Sequence, residues 1–484
     1  MKKFIVFVVV ALLSAAVWAG ATHVVGGQVE SRYTSLLEEY GQWGPFSQAS
    51  QSFHRGFLSS RAETVLEMRV PKTPSPDDLD PGVEPVRMVL EHTLRNGPFP
   101  LGRGPDGKLS LAPAMVVIET RLVRITPGGD ELEKLLANAP VLRNSLALST
   151  VGFNGSLTSQ LLIPPFENVI EGAQVTWGGF TSEFKLGAGQ KTLDGTFAMP
   201  KLAVSGPDGE IVWSGFGGQC DLVEALPRLY LGRSEVRFGE VEMTFPDEES
   251  GEGKTLKMNG FEVLQESGLN GLLVYFNQRL KVDDVMVEGK TYGPGVFDIE
   301  ARNLDGEVLS EFQGKVQDVY LNAGSIDPEE LALRVLPLYS QLVGDLLEGN
   351  PEIGISRLHF ATPMGEVEGS FLMKFAGQAG LTPENPFALL QALDAWADLS
   401  LDESLAHAIM AGRVTDQLEE ARDLGQAPAY SDEEIAQMAE KQAKDRVEAL
   451  LAGNFMVREG KRIKASATFN GGELVVNGVT RPLF

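Results

Sequence analysis

The chain has 484 residues, room for two or three domains, and its 53 glycines and 27 prolines favour a body of short strands over a helical bundle. A formal charge of −25 excludes nucleic acid as a partner, because binding a polyanion draws on counterions released by a basic patch, and it disfavours broad contact with anionic headgroups. Cys220 is the single cysteine, which excludes an intramolecular disulfide and leaves no N-terminal cysteine for lipoprotein anchoring.

Lys2 and Lys3 precede an uncharged apolar run from Phe4 to about Val25. About 20 such residues cross a hydrocarbon core as a helix, whereas a cleaved signal peptide has a shorter apolar stretch. Ala19-Gly20-Ala21 offers a small-residue cleavage site, so two readings compete. Val24 and Val25 prolong the run and Trp18 suits the outer interface, which favours an uncleaved anchor spanning residues 1–27. The paired lysines then place the N-terminus in the cytoplasm and the body outside it.

Past the anchor, Val29, Tyr33, Leu36, Leu37 and Tyr40 recur at helical spacing from Gln28 to Tyr40. Pro71, Pro74, Pro76, Pro81 and Pro85 mark a loop, and strand signals follow at short intervals. Met115–Val123, Leu256–Leu264, Leu280–Glu288 (interrupted at Asp283-Asp284) and Val367–Phe375 are β-prone. Pro127-Gly128-Gly129 reads as a turn and the acidic stretch 247–253 as a solvated loop. Asp-Gly pairs at 106–107, 194–195, 208–209 and 305–306 predict hairpin turns. The expected fold is therefore mostly β with α: a long antiparallel meander, a curved sheet, over a β-rich region 28–325. An α+β region, 326–484, carries several helices and a closing hairpin.

In that last third, Asp327 and Pro328 predict a helix start, with a stripe of Leu331, Val335, Leu338, Leu342 and Leu346, a kink at Pro337 and a stop at Gly349. A helical stretch from about Phe387 to Leu424, broken at Gly412, comes next. Ser431-Asp432-Glu433-Glu434 opens a capped helix that ends at Gly453. Strand Lys464–Phe469, the Gly471-Gly472 turn and Glu473–Gly478 close the chain.

The five histidines (His23, His54, His92, His359 and His407) never pair at i+2 or i+4, so no zinc-binding helix is present. No nucleophile elbow, P-loop or dinucleotide fingerprint appears, and no cofactor, metal ligand or catalytic residue is assigned. His54 stands out because it opens His54-Arg55-Gly56-Phe57-Leu58-Ser59-Ser60.

That segment resembles the YdgA-like family of proteobacterial envelope proteins, and so does His92 followed by Asn96-Gly97-Pro98-Phe99-Pro100-Leu101. Leu111–Met115, Gly349–Ile353 and the closing Asn477-Gly478 turn extend the resemblance over nearly the whole chain. It implies an uncleaved inner-membrane anchor and a periplasmic body, and it supplies no activity. His54, Arg55, Gly56, Ser59, Ser60, His92, Gly97, Pro98, Phe99 and Pro100 are thus motif positions without an assigned role. The resulting expectation is a non-enzymatic envelope protein that binds lipid or another envelope molecule in an apolar groove. A homodimeric or otherwise self-associating scaffold and a carboxylate-based envelope-polymer hydrolase are the alternatives.

Overall fold

Alternation of apolar and polar side chains turns most of this chain into antiparallel strands, because a period of two places one face of each segment on a core. The computed structural model describes residues 22–482 apart from 23, 32, 35–41, 44–45, 72–82, 101, 104–108, 111, 127–144, 171, 208, 247–252, 323–327, 377–384, 425–427 and 429. The fold is mostly β, an antiparallel meander whose helices lie largely in the C-terminal part. Two compact units emerge: residues 1–234 with 310–338, and residues 235–309 with 339–484.

In the first unit, Phe46–His54 pairs with Ser59–Pro71, which pairs with Val83–Asn96. Val116–Thr126, Leu146–Val151, Leu157–Ile163, Phe180–Leu186, Thr192–Gly206 and Gly209–Leu226 continue the ladder in that order. The hairpin Phe166–Ile170/Ala173–Trp177 adds to the far half of Thr192–Gly206. Residues 24–31 form a helix whose Val25 and Val29 are buried with Ala62, Leu94, Met115 and Val116. The helix Gly306–Asn322 is tied to this unit by Ser310, which donates to the Pro227 carbonyl, and by the Arg228–Asp318 ion pair.

In the second unit, Gly253–Asn270 pairs with Leu273–Val282 and with Asp284–Val287, the break falling at Asp283 as the sequence predicts. The ladder then runs through Gly295–Asp305, Glu352–Thr362, Gly365–Phe375, Leu393–Asp402, Arg462–Asn470 and Glu473–Val476. It stops at the three-residue strand Val479–Arg481. Helices Glu403–Asp423 and Asp432–Ala452 pack on one sheet face around Leu401, Leu405, Ala406, Val447 and Ile463.

Several expectations need correcting. Asp194-Gly195 is no turn: both lie inside Thr192–Gly206, where Gly195 faces Cys220 and a Cβ on it would come within 3.1 Å of the sulfur. Asp305-Gly306 ends a strand and starts a helix, with Asp305 Oδ1 accepting from the Glu307 and Val308 amides. The stretch 387–424 is not continuous helix. Strand Leu393–Asp402 divides Pro386–Ala392 from Glu403–Asp423, and the latter runs through Gly412 unbroken. Helix Pro328–Leu347 contains Pro337, the position of the expected kink. Ser431 forms the expected capping box with Glu434, and strand Gly209–Leu226 returns beside Gly206 at the predicted 208–209 turn. The expected turns at Asp106-Gly107 and Pro127–Gly129, the loop 247–252, the Asp327 cap, Pro74, Pro76, Pro81, Leu36, Leu37 and Tyr40 lie outside the described residues.

Candidate functional site

The motif residues converge on one end of the first unit. Ser59 faces Arg95, Asn96 faces Val116, and Val116 faces Val151, so the turns joining these strands share that end. Hydrogen bonds link them in series: Asn96 N–H to Leu58 O, Gly97 N–H to Met115 O, and Met115 N–H to Val151 O. Two of the glycines are required by close approach. A Cβ on Gly56 would stand 2.0 Å from the Ser59 carbonyl oxygen, and one on Gly97 would stand 2.0 Å from that of Ala114. Ser60, fully enclosed, receives the Gly56 amide, and the Asn96 side chain donates to the Gly56 and Phe57 carbonyls.

The helix 24–31 is seated against these turns. A Cβ on Gly26 would meet Asn96 Nδ2 at 2.9 Å, and one on Gly27 would meet the Arg55 guanidinium at 3.2 Å. Arg55 is thereby laid over the helix. His54 is exposed at the end of its strand, opposite Arg61. Pro98 packs partly and Pro100 fully into the fold, while Phe99 between them points outward.

His92 lies deeper in the same unit. Its Nδ1 is 2.8 Å from Thr120 Oγ1 and its Nε2 3.0 Å from Thr64 Oγ1. The Tyr33 hydroxyl bonds Thr64 as well, and its ring meets His92 edge-on at 5.8 Å and Phe53 at 5.6 Å. Burial, with no carboxylate against the ring to offset it, pushes the imidazole down to about 4. A neutral ring with both nitrogens spent on threonines braces the helix and is no proton donor at pH 7. Tyr33, Thr64 and Thr120 are the partners sequence reasoning missed, since nothing in the chain announces contacts 28–31 residues apart.

The middle of this unit is amphipathic. Gln160, Glu183, Thr196 and Gln219 face one another across four strands on one side, where Gln160 donates to Glu183 and Lys185 pairs with it. The opposite side carries Leu161, Ile163, Phe180, Phe197, Met199 and Phe216. Phe197 lies 6.3 Å from Phe180 and 5.1 Å from Phe216, and the three rings stay partly exposed.

In the second unit, a polar cavity of about 670 Å³ is lined by His359, Glu368, Ser370, Asp398, Ser400 and Lys464 among others. His359, Glu366 and Glu368 converge within 4.8 Å there, the one such set of possible metal ligands among the described residues. Arg462 already stands 3.2 Å from Glu368, and Lys464 pairs with Glu459, so opposed ion pairs balance this polar face. The alternation Glu366-Val367-Glu368 was the available signal for the two carboxylates sharing a face.

A family model described as a bacterial protein of unknown function, DUF945, matches residues 1–483. An uncharacterized protein of Haemophilus influenzae is 21% identical over 351 residues, covering 69% of this chain and 90% of that protein. No solved structure matches the chain.

Proposed function

The chain belongs to the DUF945 family of bacterial proteins of unknown function, and from that premise we propose a non-enzymatic, YdgA-like envelope protein that carries an amphiphile on an apolar sheet face. Its N-terminal apolar run tethers it in the inner membrane, and its body lies in the periplasm. The observation that carries this reading is the Phe180–Phe197–Phe216 row, partly exposed beside Leu161 and Ile163. The opposite side of the same strands mixes Gln160, Glu183, Thr196 and Gln219 with Leu146, Leu148 and Leu162, so the phenylalanine row is the more apolar face for acyl chains.

Native mass spectrometry of the full-length protein extracted from bacterial membranes tests it. The expected spectrum shows stoichiometric lipid on a chain retaining Phe4–Val25. Phe197→Ser, which deletes about 2 kcal/mol of apolar contact, lowers occupancy by roughly tenfold or more. Wild-type protein without bound lipid refutes the amphiphile reading, and a chain starting at Thr22 refutes the tether.

Self-association is supported separately by the helix Pro328–Leu347, on which Leu333 and Leu336 are 69% and 61% exposed. A scaffold reading predicts a concentration-dependent dimer that Leu333→Lys dissolves. Sedimentation of a monomer at every concentration removes it.

A further inference from the structure

We propose that the motif-bearing end of the first unit is a membrane-seating rim, whose tips dip into the interfacial layer of a lipid bilayer. The inference rests on the tether reading above and assigns a role to the two motif segments that reading leaves unused. Val24, Phe57, Leu58, Phe99 and Phe153 are each 45–60% exposed, although large apolar side chains on a free surface gain nothing from water. They come from four separate segments, and the fold gathers all of them at one end. Leu58 is bonded through its carbonyl to Asn96, next to the turn that carries Phe99. Phe153 sits in the turn after Val151, whose carbonyl receives the Met115 amide. Val24 opens the helix whose Gly26 lies on Asn96.

Three further observations choose lipid as the occupant. The first described helix begins at this end, and the sequence directly before it, from Phe4, is the uncharged run most compatible with a bilayer. Charge agrees. The chain has 66 acidic residues, yet segments 24–27, 54–59, 97–100, 112–115 and 152–156 contain none, and their ionisable groups are His54 and Arg55. Tip segments without carboxylates can approach anionic headgroups that a strongly acidic surface repels. The Phe and Leu tips then bury at the headgroup/acyl boundary as the apolar residues of interfacial helices do, with Arg55 at the phosphate level. Rigidity agrees too, because Gly56 and Gly97 permit the tight turns that present Phe57 and Phe99.

The test is photolabelling of the full-length protein in phosphatidylcholine/phosphatidylglycerol vesicles with a lipid bearing a diazirine near the top of its acyl chain, followed by peptide mapping. Phe387 and Val169, 72% and 63% exposed, are internal references for apolar exposure alone. The expected result is carbene adducts on the peptides containing Phe57-Leu58, Phe99 and Phe153, several-fold above both references. The Phe57→Asn/Phe99→Asn variant loses those adducts while keeping the wild-type circular dichroism melt. Adducts on residues 4–21 with the tip peptides at reference level overturn the rim and leave the tether standing. Reference-level labelling of residues 4–21 overturns the tether, and adducts on the tips alone sustain the rim without it.

Discussion

Acidification gives the sharpest test of the helix brace. His92 titrates from an ordinary value of 6.5 in the unfolded chain and about 4 in the folded one, because burial between Thr64 and Thr120 penalises the imidazolium. The unfolded state therefore binds the extra proton first. Stability from this group is complete above about pH 6.5 and falls as the pH drops towards 4, and it does not change further below that. Two and a half units correspond to about 3 kcal/mol. Replacing His92 with Gln removes the titration and costs about 1 kcal/mol of hydrogen bonding at every pH. The wild type is thus the more stable protein at pH 7.5 and the less stable one at pH 4.5. Hydrogen-exchange protection of the peptides in Ser59–Pro71 and Val83–Asn96, corrected for intrinsic exchange, reports the difference where it arises. Parallel wild-type and His92→Gln profiles between pH 4 and 6.5 would refute the buried neutral imidazole. All other titrating groups cancel in that comparison.

The remaining predictions concern backbone and caps. Gly56→Ala drives a Cβ into the Ser59 carbonyl and should destabilise the first unit by about 3 kcal/mol, read as lost exchange protection at 59–66. Gly412→Ala meets nothing within 4 Å in the middle of its helix and should stabilise the second unit by about 0.8 kcal/mol in urea melts. Ser431→Ala removes the hydroxyl that accepts from the Glu434 amide and leaves the reciprocal bond from the residue 431 backbone N–H to the Glu434 carboxylate, with an expected loss of about 1 kcal/mol and faster exchange in the first turn of Asp432–Ala452. Asn477 accepts from the Ser466 amide and donates to the Asn454 carbonyl at a φ of 47°. Asn477→Ala should cost about 2–3 kcal/mol, and Asn477→Gly only slightly less.

Where one face of a strand is buried, its pattern could be read directly. Val367, Gly369, Phe371, Met373 and Phe375 alternate with Glu368, Ser370, Leu372 and Lys374, a mostly polar set, and Gly365–Phe375 is a strand. The neighbouring Leu393–Asp402 escaped because Leu393, Ala395, Ala397, Leu399 and Leu401 stand between two helical segments, and small alanines satisfy either period. Its pairing with Gly365–Phe375 and Arg462–Asn470 decides the matter, and pairing partners are not a local property. Asp-Gly misled for a related reason: at 194–195 the glycine answers a cross-strand sulfur, at 305–306 the aspartate answers helix amides. The motif segments were visible as words. That they form a single end, with Tyr33 and Val29 packed on side chains of several strands, depends on contacts that only the ladder register creates.

The last strand, Val479–Arg481, has consequences for how the protein behaves in concentrated solution. An antiparallel ladder that ends in a long flat strand offers a row of free amides and carbonyls to the next molecule, and growth from such a row leads to fibres. Here the row is three residues long, and Pro482 follows it. Arg481 lies over the Phe455 ring at 4.4 Å and bonds the Gly453 carbonyl. A second copy finds almost no template at this margin. The ladder can be long without being sticky there, and lengthening this strand by replacing Pro482 would make the margin a nucleus for polymerisation.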